Sequence, residues 1–308
     1  MSITLKQLEY FVAAGEHGSI KRAATTVNIS QPSISSAVSH LEDELQLQLF
    51  VRHHAQGLSL TSAGVRMMRE SKLLLKQVQG FYSLAAEIKD KVSGNLSVGC
   101  MVTLAPMIAP ELGFAFTAKH PAAKLEITEG SHEALITDLR QVKIDVAITY
   151  DLVIADDIHF QSLAELPPKV LLAKQHPLAC KNEITISELA QHPMVLLDLP
   201  QSREYFISLF EENDLHPDIS MRASSQEVVR TLVANGFGFS ITNVRPRSLT
   251  ALDGRELVSV ALAGKHKPMR IGIATLAECD PPAILREFTK HCSSLISNRS
   301  IPGMTAET

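Results

Sequence analysis

The stretch that decides the fold of the N-terminal part is SIKRAATTVNISQPSISSAVSHLEDEL, residues 19–45. Ser19 and Ser30 each precede a run with helical spacing, and a serine hydroxyl can accept a hydrogen bond from the first turn of a helix. Pro32 falls in the first turn of the second run, where its missing N–H costs nothing. The pattern predicts a helix Ile20–Val27, a short turn, and another helix that begins after Ser30.

The second of these helices has two different faces. Its apolar stripe comprises Ile34, Val38, Leu41 and Leu45. The other face carries short, neutral side chains until Glu42, so it can approach phosphates and base edges without repulsion. In a helix-turn-helix the start of the second helix enters the major groove. The candidates for DNA contact on this helix are Gln31, Pro32, Ser33, Ser35, Ser36 and Ser39. The helix pair alone is equally compatible with an ordinary helical hairpin whose polar face is solvated.

The next residues predict a wing. Leu47–Val51 and Leu58–Leu60 alternate as short strands do, and the turn between them carries Arg52, His53 and His54. We expect Arg52 and His53 to reach phosphate or the minor groove, together with Arg66 in the following segment. A helix-turn-helix followed by a wing is a common order in DNA-binding proteins.

Helical spacing continues on both sides of this stretch. Residues 5–15 form an amphipathic pattern, and Thr61 can cap a long helix. Inside the long helix an apolar stripe recurs at coiled-coil spacing: Met67, Ser71, Leu74, Val78, Phe81, Ala85, Ile88 and Val92. A single helix with such a stripe needs a partner, which is either the chain's own next domain or a second copy. A homodimer is the preferred interpretation, and its two-fold symmetry requires a two-fold related site on double-stranded DNA.

Composition restricts the class of protein. The chain has 308 residues, 45% hydrophobic and 20% charged, which is typical of globular proteins with two or three domains. The formal net charge is -4, but the first 93 residues sum to +2 and the rest to −6. No apolar run is long enough for a membrane span and the N-terminus does not resemble a secretion signal, so we expect a cytoplasmic protein without membrane contact. The four cysteines lie far apart, which favours reduced thiols over a redox sensor.

From Asn95 onward, strands alternate with helices. The predicted strands are Leu96–Cys100, Lys124–Glu129, Ile144–Thr149, Met194–Leu197, Phe237–Thr242 and Met269–Leu276. The predicted helices are Leu104–Ala118, His132–Arg140, Arg203–Glu212, Gln226–Asn235 and Pro282–Ile296. This order predicts a largely parallel sheet covered by helices, with an irregular middle after residue 149.

Open α/β sheets bind ligands beyond the carboxyl ends of their strands. The candidates there for effector binding are Met101, Val102, Thr103, Ser131, Thr149, Tyr150, Arg203 and Ser225. Hydroxyl groups at helix N-termini favour an anion, and the planar fork of Arg203 can hold a carboxylate. Each of these residues is also explained individually as a helix cap, and Arg203 equally well as half of a surface ion pair.

The chain resembles the LysR-type transcriptional regulators. The resemblance is carried by Gly18-Ser19-Ile20, Ala23-Ala24, Ser30-Gln31-Pro32-Ser33-Ile34-Ser35, Leu49-Phe50, Arg52 and Leu60-Thr61-Ser62-Ala63-Gly64, and more weakly by Gly94-Asn95-Leu96, Asp145-Val146-Ala147-Ile148 and Val233-Ala234-Asn235-Gly236-Phe237-Gly238. Gln46 departs from the family, which often has glycine there, and Ser36 replaces a residue that is larger or basic in many members.

The resemblance implies a multidomain protein. It implies an N-terminal all-α winged helix-turn-helix over 1–61, a dimerising linker helix over 62–93, and an α/β two-lobed effector domain over 94–308 with the periplasmic-binding-protein fold. Lobe one would comprise 95–163 and 268–308, and lobe two 164–267. The expected function is effector-switched transcription regulation by a homodimer or homotetramer. The effector, a small carboxylate by the argument from Arg203, would lie between the lobes.

The alternative is a cytoplasmic small-molecule-binding protein or an α/β enzyme without DNA function. The sequence contains no GxxxxGK[ST], GxSxG or HExxH motif, and its 12 histidines show no metal-ligand spacing. We therefore expect no catalytic residue, no metal and no cofactor.

Overall fold

The computed structural model describes residues 3–53, 57–87, 92–277 and 281–305. The chain divides into two compact units, with the boundary between Lys91 and Val92. The predicted multidomain class is confirmed: a helical unit with a short hairpin precedes an α/β unit. Over the described ranges, no helix is both long and apolar enough to span a membrane, and no group of side chains could hold a metal ion.

The N-terminal unit is a winged helix-turn-helix followed by a long helix. Its elements are α1 (Leu5–His17), α2 (Ile20–Thr26), α3 (Gln31–Leu45), β1 (Phe50–His53), β2 (Gly57–Leu60) and α4 (Ser62–Glu87). Phe11, Ile34 and Leu41 are fully buried at the centre of its core. The predicted small residues of α2, Ala23 and Ala24, are also buried, which lets α2 approach its neighbours closely.

Helix caps fix where these helices begin. The side chain of Ser19 accepts a hydrogen bond from the backbone N–H of Arg22, and Ser30 from that of Ser33 at 3.3 Å. Thr61 accepts from Gly64 N at 2.9 Å. The three predicted caps are confirmed because the hydroxyls satisfy N–H groups that have no partner within the helix.

The predicted strand Leu47–Val51 is wrong by three residues at its start. Residues 47–49 are irregular because Glu42 reaches over from α3, where its Oε1 accepts hydrogen bonds from Leu49 N at 2.7 Å and Phe50 N at 3.1 Å. The strand begins only at Phe50, so Arg52 and His53 lie in β1 rather than in a turn. His54, which the sequence places in the wing, lies outside the described residues.

Gln46, the departure noted in the sequence, ends α3 in the left-handed conformation, with φ 51°. A side chain at such a position is strained, whereas glycine adopts it freely. We expect Gln46→Gly to raise the free energy of unfolding by about 0.5–1 kcal/mol, because relief of strain exceeds the added entropy of the unfolded chain. Chemical denaturation of both proteins measures this. Unchanged or lower stability would mean that the hydrogen bond from Gln46 Nε2 to Asp43 O, 2.6 Å long, stabilises the fold by at least as much as the backbone strain destabilises it.

The two ends of the apolar stripe predicted along α4 have different surroundings. Ser71 is buried and Met67 packs against the core of its own unit, so the N-terminal part of the stripe is covered by residues of the same chain. Further along, Leu74 and Phe81 are exposed by 49% and 70%. Ile88 and the side chain of Ala85 lie outside what the structure describes.

The second unit has two lobes. The first lobe contains β3 (Gly94–Met101), α5 (Ala105–Lys119), β4 (Ala123–Gly130), α6 (His132–Arg140), β5 (Val146–Tyr150) and β6 (Ile158–Leu166). The second contains β7 (Lys169–Ala173), β8 (Glu183–Ile184), α7 (Ile186–Leu189), β9 (Pro193–Leu197), α8 (Pro200–Glu211), β10 (Asp218–Ala223), α9 (Gln226–Ala234), β11 (Ser240–Thr242) and β12 (Leu257–Leu262). The chain then returns to the first lobe with β13 (Met269–Leu276) and α10 (Ala283–Leu295). The sheets have the strand orders β4-β3-β5-β13-β6, β11-β7-β12-β8 and β10-β9.

The predicted largely parallel sheet is only partly correct. Strands β4, β3 and β5 are parallel, but the returning strand β13 is antiparallel to both β5 and β6, and β7 is antiparallel to β11 and β12. The predicted irregular middle is wrong, since β6, β7, β8 and α7 lie there. In β6 exposed and buried residues alternate irregularly, so its sequence gives no clean strand period.

Candidate nucleic-acid interface and effector cleft

The first candidate site is the polar face of α3. Gln31, Pro32, Ser33 and Ser36 are exposed there, while Ser35 and Ser39 are half-buried. The hydroxyl of Ser33 lies 2.7 Å from that of the capping Ser30, so it is held by the cap. The side chain of Ser36 forms no hydrogen bond to any described residue. The first carboxylate of the helix, Glu42, is turned to the backbone of residues 49 and 50, which leaves the face before it neutral.

Positive charge also lies on other elements of the same unit. Arg52 on β1 and Arg66 on α4 are exposed, and their contact with DNA stays a prediction. His53 is exposed and its Nε2 lies 2.7 Å from the Ser59 hydroxyl across the hairpin. Sequence reasoning missed Lys21 and Arg22, which are exposed on α2. In a helix-turn-helix the first helix crosses the DNA backbone. The position of these two residues on α2 could therefore have predicted a phosphate contact from the sequence.

The second candidate site is a small cleft between the lobes of the second unit, with a cavity volume of about 20 Å³. Two of the eight predicted effector residues, Thr103 and Tyr150, line it, and their hydroxyl oxygens are 3.2 Å apart. Burial raises the pKa of the Tyr150 phenol above its ordinary value, so the group stays a neutral donor at physiological pH. The remaining lining residues are Leu197, Ser202, Phe206, Gln226, Thr242, Asn243, Val244 and Met269.

The other predicted effector residues do not line this cleft. Met101 is buried in the core, and Val102 packs against it. The hydroxyl of Thr149 lies 3.0 Å from His132 Nδ1, and Ser131 caps α6 by accepting from Ala134 N. None of these four residues lines the cleft, and their role as effector ligands stays a prediction.

Arg203 and Ser225 each lie one residue away from a residue that lines the cleft. Arg203 donates to Asp198 Oδ1 at 2.8 Å, the surface ion pair that the sequence left open. Its neighbour Ser202 lines the cleft because α8 begins at Pro200 and not at Arg203 as expected. Ser225 precedes α9 and its side chain makes no capping hydrogen bond, whereas Gln226 lines the cleft.

Asn243 adds an acceptor that sequence reasoning missed. It is buried, and its Nδ2 donates to Leu166 O at 2.8 Å and lies 3.2 Å from the Tyr205 hydroxyl. Its Oδ1 is buried without a hydrogen-bond partner among the described residues. A buried acceptor without a partner is costly, so it favours a ligand that carries a hydrogen-bond donor in addition to any anionic group.

The described cysteines bear on the redox alternative. Burial raises the pKa of the Cys100 and Cys292 thiols to about 12, which keeps both protonated and poorly nucleophilic. Cys180 is exposed and is not in a disulfide. Cys279 lies outside the described residues.

Both units match known families. Residues 5–65 match the family model described as bacterial regulatory helix-turn-helix protein, lysR family, and residues 89–295 match the LysR substrate binding domain. The regulator CysB of Haemophilus influenzae is 30% identical over 277 residues, which cover 88% of this chain and 84% of CysB.

Solved structures give the same result. HinK of Pseudomonas aeruginosa, a LysR family transcriptional regulator, is 34% identical with a TM-score of 0.65, and the match covers 96% of this chain and 99% of HinK. A full-length OxyR variant of the same species shares the fold with a TM-score of 0.75 at 24% identity, over 96% of this chain and 99% of that one. The chain therefore belongs to the LysR family of transcriptional regulators, which join a DNA-binding helix-turn-helix to an effector-binding domain.

Proposed function

We propose that the polar face of α3 lies in the major groove of a promoter site and reads base edges through Ser33, Ser35, Ser36, Ser39 and Gln31. The observation that supports this proposal is that the start of the face is exposed and neutral. The Ser30 cap orders the first turn of α3, and the carboxylate of Glu42 is turned away to the backbone of Leu49. Each good base contact contributes about 1–3 kcal/mol of discrimination.

Phosphate contacts fix the orientation on the duplex. The exposed Arg52, His53 and Arg66 are the predicted donors to phosphate. Lys21 and Arg22 on α2 are further donors in this proposal. Each neutralised phosphate releases counterions, so affinity falls steeply with salt.

A second copy of the chain pairs through the C-terminal half of α4. Leu74, Phe81 and Tyr82 are exposed by 49%, 70% and 71%, so this part of the helix offers apolar side chains that a partner helix can cover. Pairing presents two recognition helices to a two-fold related site, in a homodimer or a pair of dimers.

The effector of this regulator is a small carboxylate bound in the cleft. The N-terminal ends of α5, α8 and α9 bring Thr103, Ser202 and Gln226 to the cleft, and no lining residue carries a formal charge among those described. Helix N-termini favour an anion and neutral donors can hold it without a counter-cation. A carboxylate that binds one arrangement of the lobes more tightly shifts the population towards it and changes promoter binding.

Ser202→Ala tests this effector site. We expect it to weaken the best carboxylate from a thermal-shift panel of acetate, benzoate, succinate and glutamate about tenfold, because a hydrogen bond to a charged group is lost. Calorimetry on the full chain measures the affinity.

The matched control is Ser208→Ala on the same helix, whose hydroxyl donates to Tyr205 O and does not line the cleft. It should bind the carboxylate as the wild type does. If no carboxylate binds, or if both substitutions weaken binding equally, the proposed effector class is wrong.

A further inference from the structure

A second, larger pocket lies within lobe two. Its cavity of about 150 Å³ lies between α9, residues 244–249, Thr305 and one face of the sheet formed by β11, β7 and β12. Four of its lining residues are cationic, and no Asp or Glu is among the described ones: the cations are Lys169, Arg230, Arg245 and Arg247. Four positive side chains around one concave space concentrate a field that attracts anions.

Two of these cations already have carboxylate neighbours outside the pocket. Arg230 is 4% exposed, donates to Ser248 O at 2.8 Å, and has its Nε 3.4 Å from Glu227. Arg247 donates to Glu111 at 2.8 Å. These contacts hold the two guanidinium groups in place at the pocket wall.

Lys169 has a different environment. It is the first residue of β7, is half-buried, and lies beside Thr242 of β11 in the sheet register. It forms no ion pair with any carboxylate in the described ranges. Arg245 is 6% exposed and lines the same space.

The pocket adjoins the cleft between the lobes but differs from it in chemistry. Leu197, Gln226, Thr242 and Val244 line both. The cleft has neutral lining groups, whereas the pocket has cationic ones. One small carboxylate therefore does not explain both spaces.

We propose that this pocket binds a small molecule that bears a phosphate group, as a second ligand of the effector domain. Guanidinium groups bind phosphate oxygens with two parallel hydrogen bonds, and a phosphate monoester carries a charge of about −1.5 to −2 at neutral pH. This inference extends the proposed function, because a ligand there contacts four residues of the effector cleft wall.

Calorimetry of the full chain with inorganic phosphate and with phenyl phosphate tests the site. We expect both to bind, phenyl phosphate more tightly, and Lys169→Gln to weaken each about tenfold because a charge-assisted contact is lost. Succinate has the same charge without a phosphate, and we expect it to bind this site at least about tenfold more weakly.

Two controls separate this proposal from the effector cleft. Lys174→Gln removes an exposed lysine that pairs with Glu256 near the other end of β7, and should bind phosphate normally. Ser202→Ala alters the cleft and should leave phosphate binding unchanged. Thermal unfolding of each variant verifies its fold.

Phosphate binding that survives Lys169→Gln, or that is lost equally in Ser202→Ala, overturns the separate site. Succinate binding that is as tight as phosphate binding and is weakened equally by Lys169→Gln overturns the phosphate assignment, whereas succinate binding that depends on Ser202 belongs to the effector cleft. These titrations contain no DNA, so their outcome does not depend on whether the chain recognises a promoter.

Discussion

Replacing Ser36 with aspartate is expected to weaken promoter binding about 100-fold and to leave the fold intact. Ser36 is exposed on α3 and its side chain forms no hydrogen bond to any described residue, so the side chain can change without loss of an internal contact. In the proposed complex a carboxylate there would face phosphates and base edges, and like charges placed together in an interface cost several kcal/mol. About 2.7 kcal/mol corresponds to the 100-fold change. Fluorescence anisotropy with a labelled duplex from upstream of the chain's own gene measures it.

A matched substitution adds the same charge elsewhere. Ser187 is exposed in the first turn of α7, in the effector domain, where a negative charge suits the helix dipole. Ser187→Asp should bind the duplex as the wild type does. If Ser36→Asp also binds normally while circular dichroism is unchanged, α3 does not present this face to DNA.

Gly64→Ala is expected to lower the free energy of unfolding of the N-terminal unit by about 3 kcal/mol. A β-carbon at Gly64 would lie 2.1 Å from the backbone oxygen of Leu49, so the start of α4 would have to move away from the chain that leads into β1. Inserting a group into a packed interior costs about 1–3 kcal/mol, and backbone atoms adjust less than side chains do. For a unit of this size that corresponds to a decrease of more than about 10 °C in Tm.

Gly80 in the same helix is the control. No atom lies within 4 Å of a β-carbon built there, so Gly80→Ala should stabilise α4 by up to about 1 kcal/mol. The thermal loss of DNA binding and of helical circular dichroism reports both variants. Equal Tm values for the two substitutions would contradict the close approach of Gly64 to Leu49.

The helix-turn-helix was predictable because its signals are local. Ser19, Ser30 and Thr61 cap the helices that follow them, and the period of the apolar stripe in α3 is helical over about three turns. Such signals depend on neighbours three or four residues away, which the sequence displays directly.

The start of the wing was not predictable in this way. Glu42 holds the backbone of Leu49 and Phe50 across seven and eight residues, and this contact delays the strand. The antiparallel strand β13 and the strands of the middle segment depend on pairing partners more than 100 residues apart in several cases, such as Ile271 with Tyr150. Hydrophobic periodicity carries no information about such partners.

The residues that line the effector cleft were only partly predictable from the sequence. Thr103 and Tyr150 follow strongly predicted strands and line it, whereas Arg203 and Ser225 are each one residue from a lining residue. When the predicted start of a helix is wrong by a few residues, the wrong side chain is predicted to face the ligand, since successive residues differ by about 100° around a helix. Asn243 follows a three-residue strand, β11, and no pattern distinguished it.

Sedimentation velocity of a labelled duplex from upstream of the chain's own gene, at low ionic strength, tests the central claim most directly. The account predicts that the duplex sediments with two or four copies of the chain, and that raising the salt to about 200 mM weakens the complex by orders of magnitude as counterion release requires. A duplex that sediments alone beside a monomeric protein at low salt would contradict both the paired α4 helices and the α3 face in the groove.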